Sequence, residues 1–206
     1  MYTSEVEICN LALASIGEAD ITSLTEETKR ARLCSRYYAP TRDQMIAEFD
    51  WPFARKTAAL SELSSPVNAV PEGMSAYSMP SDCVNPLDIL PLGSREEWVV
   101  VGRELMTTSG GTPTLRYTSL ITATGRFSAA FGNILALGLA ARLCSPLTQD
   151  KGLAKDLYIQ YLTEKKEAWA GDASIGVMAN PDDDPNKDTF VTGGDTTALD
   201  LGNQRY

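Results

Sequence analysis

The residues of this chain with the most obvious capacity for chemistry are its carboxylates. Glu26-Glu27, Glu96-Glu97 and the acidic run at 182–184 each place acids side by side. A glycoside hydrolase needs two carboxyls about 5 to 9.5 Å apart, one serving as acid and the other as base or nucleophile. Adjacent residues on a strand point to opposite faces, and the aspartate run lies in a polar terminal segment. These pairs therefore read as solvated surface. The chain has no histidine, so neither a Ser-His-Asp triad nor a Cys-His pair can be built. Cys9, Cys34, Cys83 and Cys144 are far apart, in apolar contexts and without a C-x-x-C spacing; they read as buried thiols of a protein made in a reducing cytoplasm rather than as zinc ligands. No Walker A or G-x-G-x-x-G sequence occurs, and SGGT at 109–112 sits in a loop with no helix after it. The expectation is a protein that is not an enzyme, with no catalytic residue, cofactor or metal.

Aromatic residues offer a second kind of site. Phe49, Trp51 and Phe53 surround Pro52 where a polar helical pattern gives way to an alternating one. Three aromatics in five residues form either a ligand site or a joint between two parts of a fold. Pro52 disfavours helical geometry in the residue before it, so the chain leaves its helix here. Trp51 and Phe53, two residues apart, can both face one core. The stretch 49–53 is expected to be a structural joint.

The elements around this joint follow from periodicity. SEVEICNLALASIGE is a short helix, with Ser4 and Glu7 as a capping box and Gly17 as a left-handed stop. TEETKRARLCSRYYAPTRDQMIAEFD is a second helix, with Ala31, Cys34, Tyr38, Met45 and Phe49 as its apolar stripe. Pro40 inside it should bend the helix or split it. RKTAALSEL is expected as a strand and SSPVNAVPEG as a loop. PLDIL (86–90), EEWVVV (96–101), RELMTT (103–108) and TLRYT (114–118) are expected strands, with Gly102-Arg103 as a tight hairpin turn. The run 126–145 is a helix apolar nearly all round, in which Gly132 and Gly138 allow close approach of neighbours. Pro146 should break it. QDKGLAKDLYIQYLTEKKEAWAG is the last helix, with Leu153, Leu157, Tyr161, Ala168 and Trp169 inward and Gly171 as its stop. A membrane span needs about 20 mostly apolar residues, and 127–144 contains Asn133 and Arg142, so a buried core helix is expected and no membrane partner. The opening MYTSEVE has no signal-peptide pattern.

The fold class expected is therefore α+β. It consists of a mainly α-helical bundle (1–53 and 124–171), an inserted small antiparallel β meander or sandwich (54–123), and an extended acidic C-terminal tail (172–206). The tail has seven aspartates against Lys187 and Arg205, and carries more than half of the net charge of −9. It is too polar to form a domain, yet Phe190, Val191, Leu199, Leu201 and Tyr206 are spaced along it as apolar anchors for a partner. An acidic chain without a Lys/Arg cluster is poorly suited to gripping phosphate backbones.

The order of several motifs resembles a known family. NLALASIGE (10–18), DWPFARK (50–56), AYSMPSDCVNPLDIL (76–90), WVVVGR (98–103), LRYT (115–118) and LTQD (147–150) occur in sequence, as in phage head-to-tail adaptors of the tail tubular protein A type. The resemblance covers about residues 4–171; Pro40 and the long tail depart from the pattern. It implies a structural protein of the virion neck, made in the host cytoplasm, that forms a homo-oligomeric ring of about twelve copies beneath the portal protein. The helical part would pack around the ring and the β part would project from it. The ring would supply the attachment site for a tail tube or nozzle protein, and DNA would pass through its lumen during ejection without specific binding. A net-negative conduit suits that passage, because it repels phosphates. Two alternatives stand beside it: a virion-associated polysaccharide or peptidoglycan hydrolase, and another neck or head-completion protein. The inserted β region argues against the latter, since many of those are wholly helical.

Overall fold

In the computed structural model, which describes residues 2–90 and 96–176, four helices flank two small antiparallel sheets, an α+β fold. Helix α1 (Glu5–Ala14) starts at Ser4, whose Oγ accepts from the Glu7 N–H at 3.2 Å. The capping box is only half formed. Glu7 Oε2 accepts instead from Thr3 N–H at 2.7 Å and the Thr3 hydroxyl at 2.9 Å, one residue further out. At the other end, Glu18 N–H donates to Leu13 O and Gly17 N–H to Ala14 O, with Gly17 at φ +74°. This is the left-handed stop expected at Gly17.

Helix α2 (Lys29–Glu48) is capped by the Thr28 hydroxyl, which accepts from Ala31 N–H. Pro40 does not split it. Pro40 and Arg36 both lie on the solvent side, so the carbonyl that proline leaves without its helical partner opens to water while the buried face stays intact. That face carries Ala31, Cys34, Tyr38, Met45 and, one turn apart, Arg42 and Ile46.

Helices α3 (Ala129–Thr148) and α4 (Lys151–Gly176) form an antiparallel hairpin. Here two expectations are corrected. Pro146 does not end α3, which continues to Thr148 and stops at Gln149 with φ 60°. One missing N–H in the last turn costs a single bond, and the Gln149 N–H still reaches Ser145 O. Asp150 Oδ1 then accepts from Leu153 N–H at 2.9 Å and opens α4. Gly171 likewise does not stop α4, which runs to Gly176. A glycine inside a helix costs about 1 kcal/mol relative to alanine, and Gly171 is not among the positive-φ glycines. The segment expected as a tail from 172 thus begins helically, and 177–206, with Phe190, Val191, Leu199, Leu201 and Tyr206, lies outside the described residues.

Helix α3 is the centre of the bundle, with Phe131, Ile134, Leu135, Leu139, Leu143 and Cys144 buried against the other helices. It is long and apolar enough to cross a membrane, but more than half of it is buried within the protein. Its glycines seat aromatic rings. A Cβ on Gly132 would fall inside the Tyr2 ring, and one on Gly138 would lie 2.9 Å from the Tyr161 ring.

The β region is a sandwich rather than a meander. One sheet has the order β1 (Arg55–Ala59), β7 (Thr114–Ser119), β4 (Cys83–Leu90). The other has the order β2 (Ser61–Glu62), β3 (Ser75–Ser78), β6 (Glu104–Thr107), β5 (Trp98–Val101). The run RKTAALSEL is broken at buried Leu60, whose N–H donates to Pro113 O; the chain there passes from one sheet to the other. Strand β4 begins three residues before the expected PLDIL and holds Pro86. It does so on the sheet edge, with register shifts on both sides of Asn85-Pro86, where a proline costs no ladder bond. Strand β3, which the sequence reading missed, is short in β-branched residues and is held by pairing to β6 and β2. Leu105, Tyr77 and Val100 from one sheet and Leu115, Ile89 and Ala58 from the other face a second, smaller core. Gly102, φ +62°, gives the two-residue turn between β5 and β6.

Candidate functional site

Trp51 lies in the larger core with no solvent exposure, and its indole N–H donates to Met45 O at 2.9 Å. Around it, Phe131 and Phe49 pack edge-on at 5.0 and 6.0 Å between centroids, and Phe53 lies tilted at 6.0 Å. Phe53 continues the cluster to Phe127 and Phe131, and Phe49 stacks on Trp169 at 5.4 Å. Pro52 opens a turn of 3-10 helix, Pro52–Ala54, that delivers the chain into β1. All four residues named from the sequence are thus brought together where α2, α3, α4 and the sandwich meet. Phe49, Phe53 and Phe131 pack on Trp51, and the indole, fully buried, offers no surface to a ligand.

Among the described residues the two carboxylate pairs lie at separate places in the fold, one before α2 and one before β5. Glu26 and Glu27 border a shallow groove of about 680 Å³ with Arg32 and Arg36. Glu26 is already engaged, accepting from the Thr22 N–H and hydroxyl, and its backbone donor holds the carboxyl below the usual range. Glu97 is exposed and Glu96 half-buried, just before β5. The acidic run at 182–184 lies outside the described residues. All four thiols are buried and unpaired by disulfides. Cys9 and Cys34 face each other from α1 and α2; hydrogen bonding to Cys34, together with burial, pushes the Cys9 thiol well up. Among the described residues no group of His, Cys, Asp or Glu is arranged to hold a metal.

Several buried or half-buried polar groups were not singled out by sequence. Lys165 in α4 is buried, with Nζ 2.7 Å from Glu48 Oε1 and lying over the rings of Tyr161 at 4.9 Å and Phe49 at 5.6 Å. The cation pins α4 to the end of α2. Its position one turn beyond Tyr161, in line with Leu157 and Tyr161, was the available signal. Asp82, just before β4, links the strands of the first sheet: Lys56 Nζ on β1 donates at 2.6 Å and Tyr117 OH on β7 at 2.9 Å. The Lys56 contact holds Asp82 below the carboxylate range, while burial and then Asp82 push Tyr117 up to about 12. Glu104 caps the 64–73 loop, accepting from Val67 N–H, Asn68 N–H and Asn68 Nδ2–H at 2.7 to 3.0 Å. These donors, Val67 first, lower its carboxyl.

Among the described residues two groups of apolar side chains face outward. Tyr158, Ile159 and Leu162 are exposed along α4, and Val67, Val99 and Val101 are exposed near the β5–β6 hairpin. The loop tip is drawn to that hairpin by Asn68, whose Nδ2–H reaches Val101 O. Val67 is 92% exposed. No family model matches this chain, and no curated protein matches it.

Proposed function

We propose that this chain is a head-to-tail adaptor, a structural protein of the phage neck that assembles as a ring beneath the portal. The ring offers an attachment site to a tail tube or nozzle protein and leaves a lumen for DNA. One observation carries the reading beyond the resemblance of motifs. The chain has an exposed apolar patch on its helical part, at Tyr158, Ile159 and Leu162, and a separate one on its β part, at Val67, Val99 and Val101. Clustered outward apolar residues mark contact surfaces, and a joint between two different neighbours needs two of them. The net charge of −9 suits a passage for DNA rather than a grip on it. In this reading Phe190, Val191, Leu199, Leu201 and Tyr206 anchor the C-terminal segment to the portal or to a neighbouring subunit in the particle.

Electron microscopy of the purified protein, alone and mixed with portal, tests the proposal. Closed rings seated on portal are the expected result; a stable dimer or trimer that ignores portal overturns it. The hydrolase alternative is tested by turnover of peptidoglycan or capsular polysaccharide. No release above buffer is expected, and release that vanishes on replacing Glu96 or Glu97 would establish the enzyme instead.

A further inference from the structure

The two sheets have four edges, and three are guarded. Strand β1 carries Arg55 and Lys56, β4 carries Pro86 with its register shifts, and β2 is only Ser61–Glu62. Charge, proline, bulges and shortness are the usual devices against unwanted strand pairing. Strand β5 carries no charge, proline or bulge within Trp98–Val101: it reads Trp-Val-Val-Val. It pairs with β6 on one side, and among the described residues nothing pairs with the other.

Register shows which groups are on offer. The two-residue turn makes Val101 and Glu104 a hydrogen-bonded pair, so Val99 and Val101 direct their backbone groups at β6. Glu97 O, which accepts from Thr108 N–H, continues the same alternation. The N–H and C=O groups of Trp98 and Val100 therefore point to the free edge. The side chains alternate the opposite way. Trp98 and Val100 pack against the sandwich core, while Glu97, Val99 and Val101 lie on the outer face and are exposed.

We infer that the outer edge of β5 is a strand-addition site for another protein chain. The occupant is an extended segment of alternating β-branched residues, with a Lys or Arg opposite Glu97. Its backbone pairs with Trp98 and Val100, and its outer side chains cover Val99 and Val101. Main-chain bonds of this kind supply affinity, and the alternating side chains supply selectivity. The inference stands without the adaptor reading, and its test uses neither portal nor rings, so the two can fail separately.

The probe is a short capped peptide of alternating valine and threonine with a lysine at each end, added to the full chain. Hydrogen exchange is expected to show fast Trp98 and Val100 amides and slow Val99 and Val101 amides in the free protein. Adding peptide should slow Trp98 and Val100 about tenfold or more. The double variant Val99→Lys, Val101→Lys should keep its melting temperature and lose the effect. Glu97→Lys should shift preference to a glutamate-flanked version of the peptide. Three results would overturn the inference. One is Trp98 and Val100 already protected in the dilute free chain, and another is protection that grows with protein concentration alone. The third is a wild-type protein indifferent to the peptide.

Discussion

Trp51 fills the middle of the larger core, so its truncation is a test of packing rather than of binding. Trp51→Ala removes a fully buried indole and the donor to Met45 O. The cost expected is about 3–5 kcal/mol, read by chemical denaturation. A variant of unchanged stability that fails to bind a partner would show Trp51 to be a surface anchor. Glu104 gives a different residue-scale test, through pH. Its folded carboxyl is lowered, first by the Val67 N–H and then by Asn68. Its contribution is therefore complete above the ordinary glutamate range, near about 4.3, and is lost as pH falls through the lowered value. Amides of Val67 and Asn68 should be protected at neutral pH and lose protection, relative to intrinsic rates, in acid. Glu104→Gln should abolish that acid step, and protection independent of pH would refute the assignment. The aromatic joint was legible because composition and proline chemistry both mark residues 49–53. Lys165 and Glu104 were not, because a charged residue reads as surface until its partners are known.

At the scale of elements, helices were legible and strands only partly so. Ser4, Thr28 and Ser128 each cap a helix through the hydroxyl, and Ala31, Cys34, Tyr38 and Met45 form the buried stripe read for α2, while Phe49 lies just past its end and is half-buried. Pro146 and Gly171 do not end their helices, because tertiary packing absorbs a local penalty of about 1–3 kcal/mol, and Pro40, expected to bend or split α2, does not split it. Strand β3 escaped notice for the converse reason: of its four residues only Tyr77 favours a strand, and its partners hold it. The helix reading yields a test at Pro40. Its ring is exposed and its removal disturbs no packing, so Pro40→Ala should restore the bond to Arg36 O and stabilise the protein by about 1–3 kcal/mol. Equilibrium denaturation measures this. A loss of stability would mean that the helix requires the geometry proline imposes.

On the scale of the whole molecule, the described residues belong to one compact unit, Met1–Gly176, that nevertheless holds two separate hydrophobic clusters. The helical cluster is much the larger. The sandwich hangs from it at both ends: β1 follows the 3-10 turn after α2, and β7 leads into the 3-10 turn before α3. Ser119 Oγ–H donates to Ala54 O at 2.8 Å, and Asn85 Nδ2–H donates to Ala47 O, which stitches the two parts. A small core supplies less burial per residue ordered, so the sandwich should open before the helices do. Leu105 and Leu135 are fully buried, one in each cluster, and truncating either to alanine should cost about 2–5 kcal/mol locally. Native-state hydrogen exchange in low denaturant separates the consequences. Leu105→Ala should accelerate amides of β6 and β7 while those of α3 keep their protection, because the helical cluster survives loss of the sandwich. Leu135→Ala should accelerate both sets, because the sandwich has no anchor once α3 is released. If α3 and β6 amides shift together in both variants, the two clusters unfold as one, and the helical part is not an independent foundation for the β part.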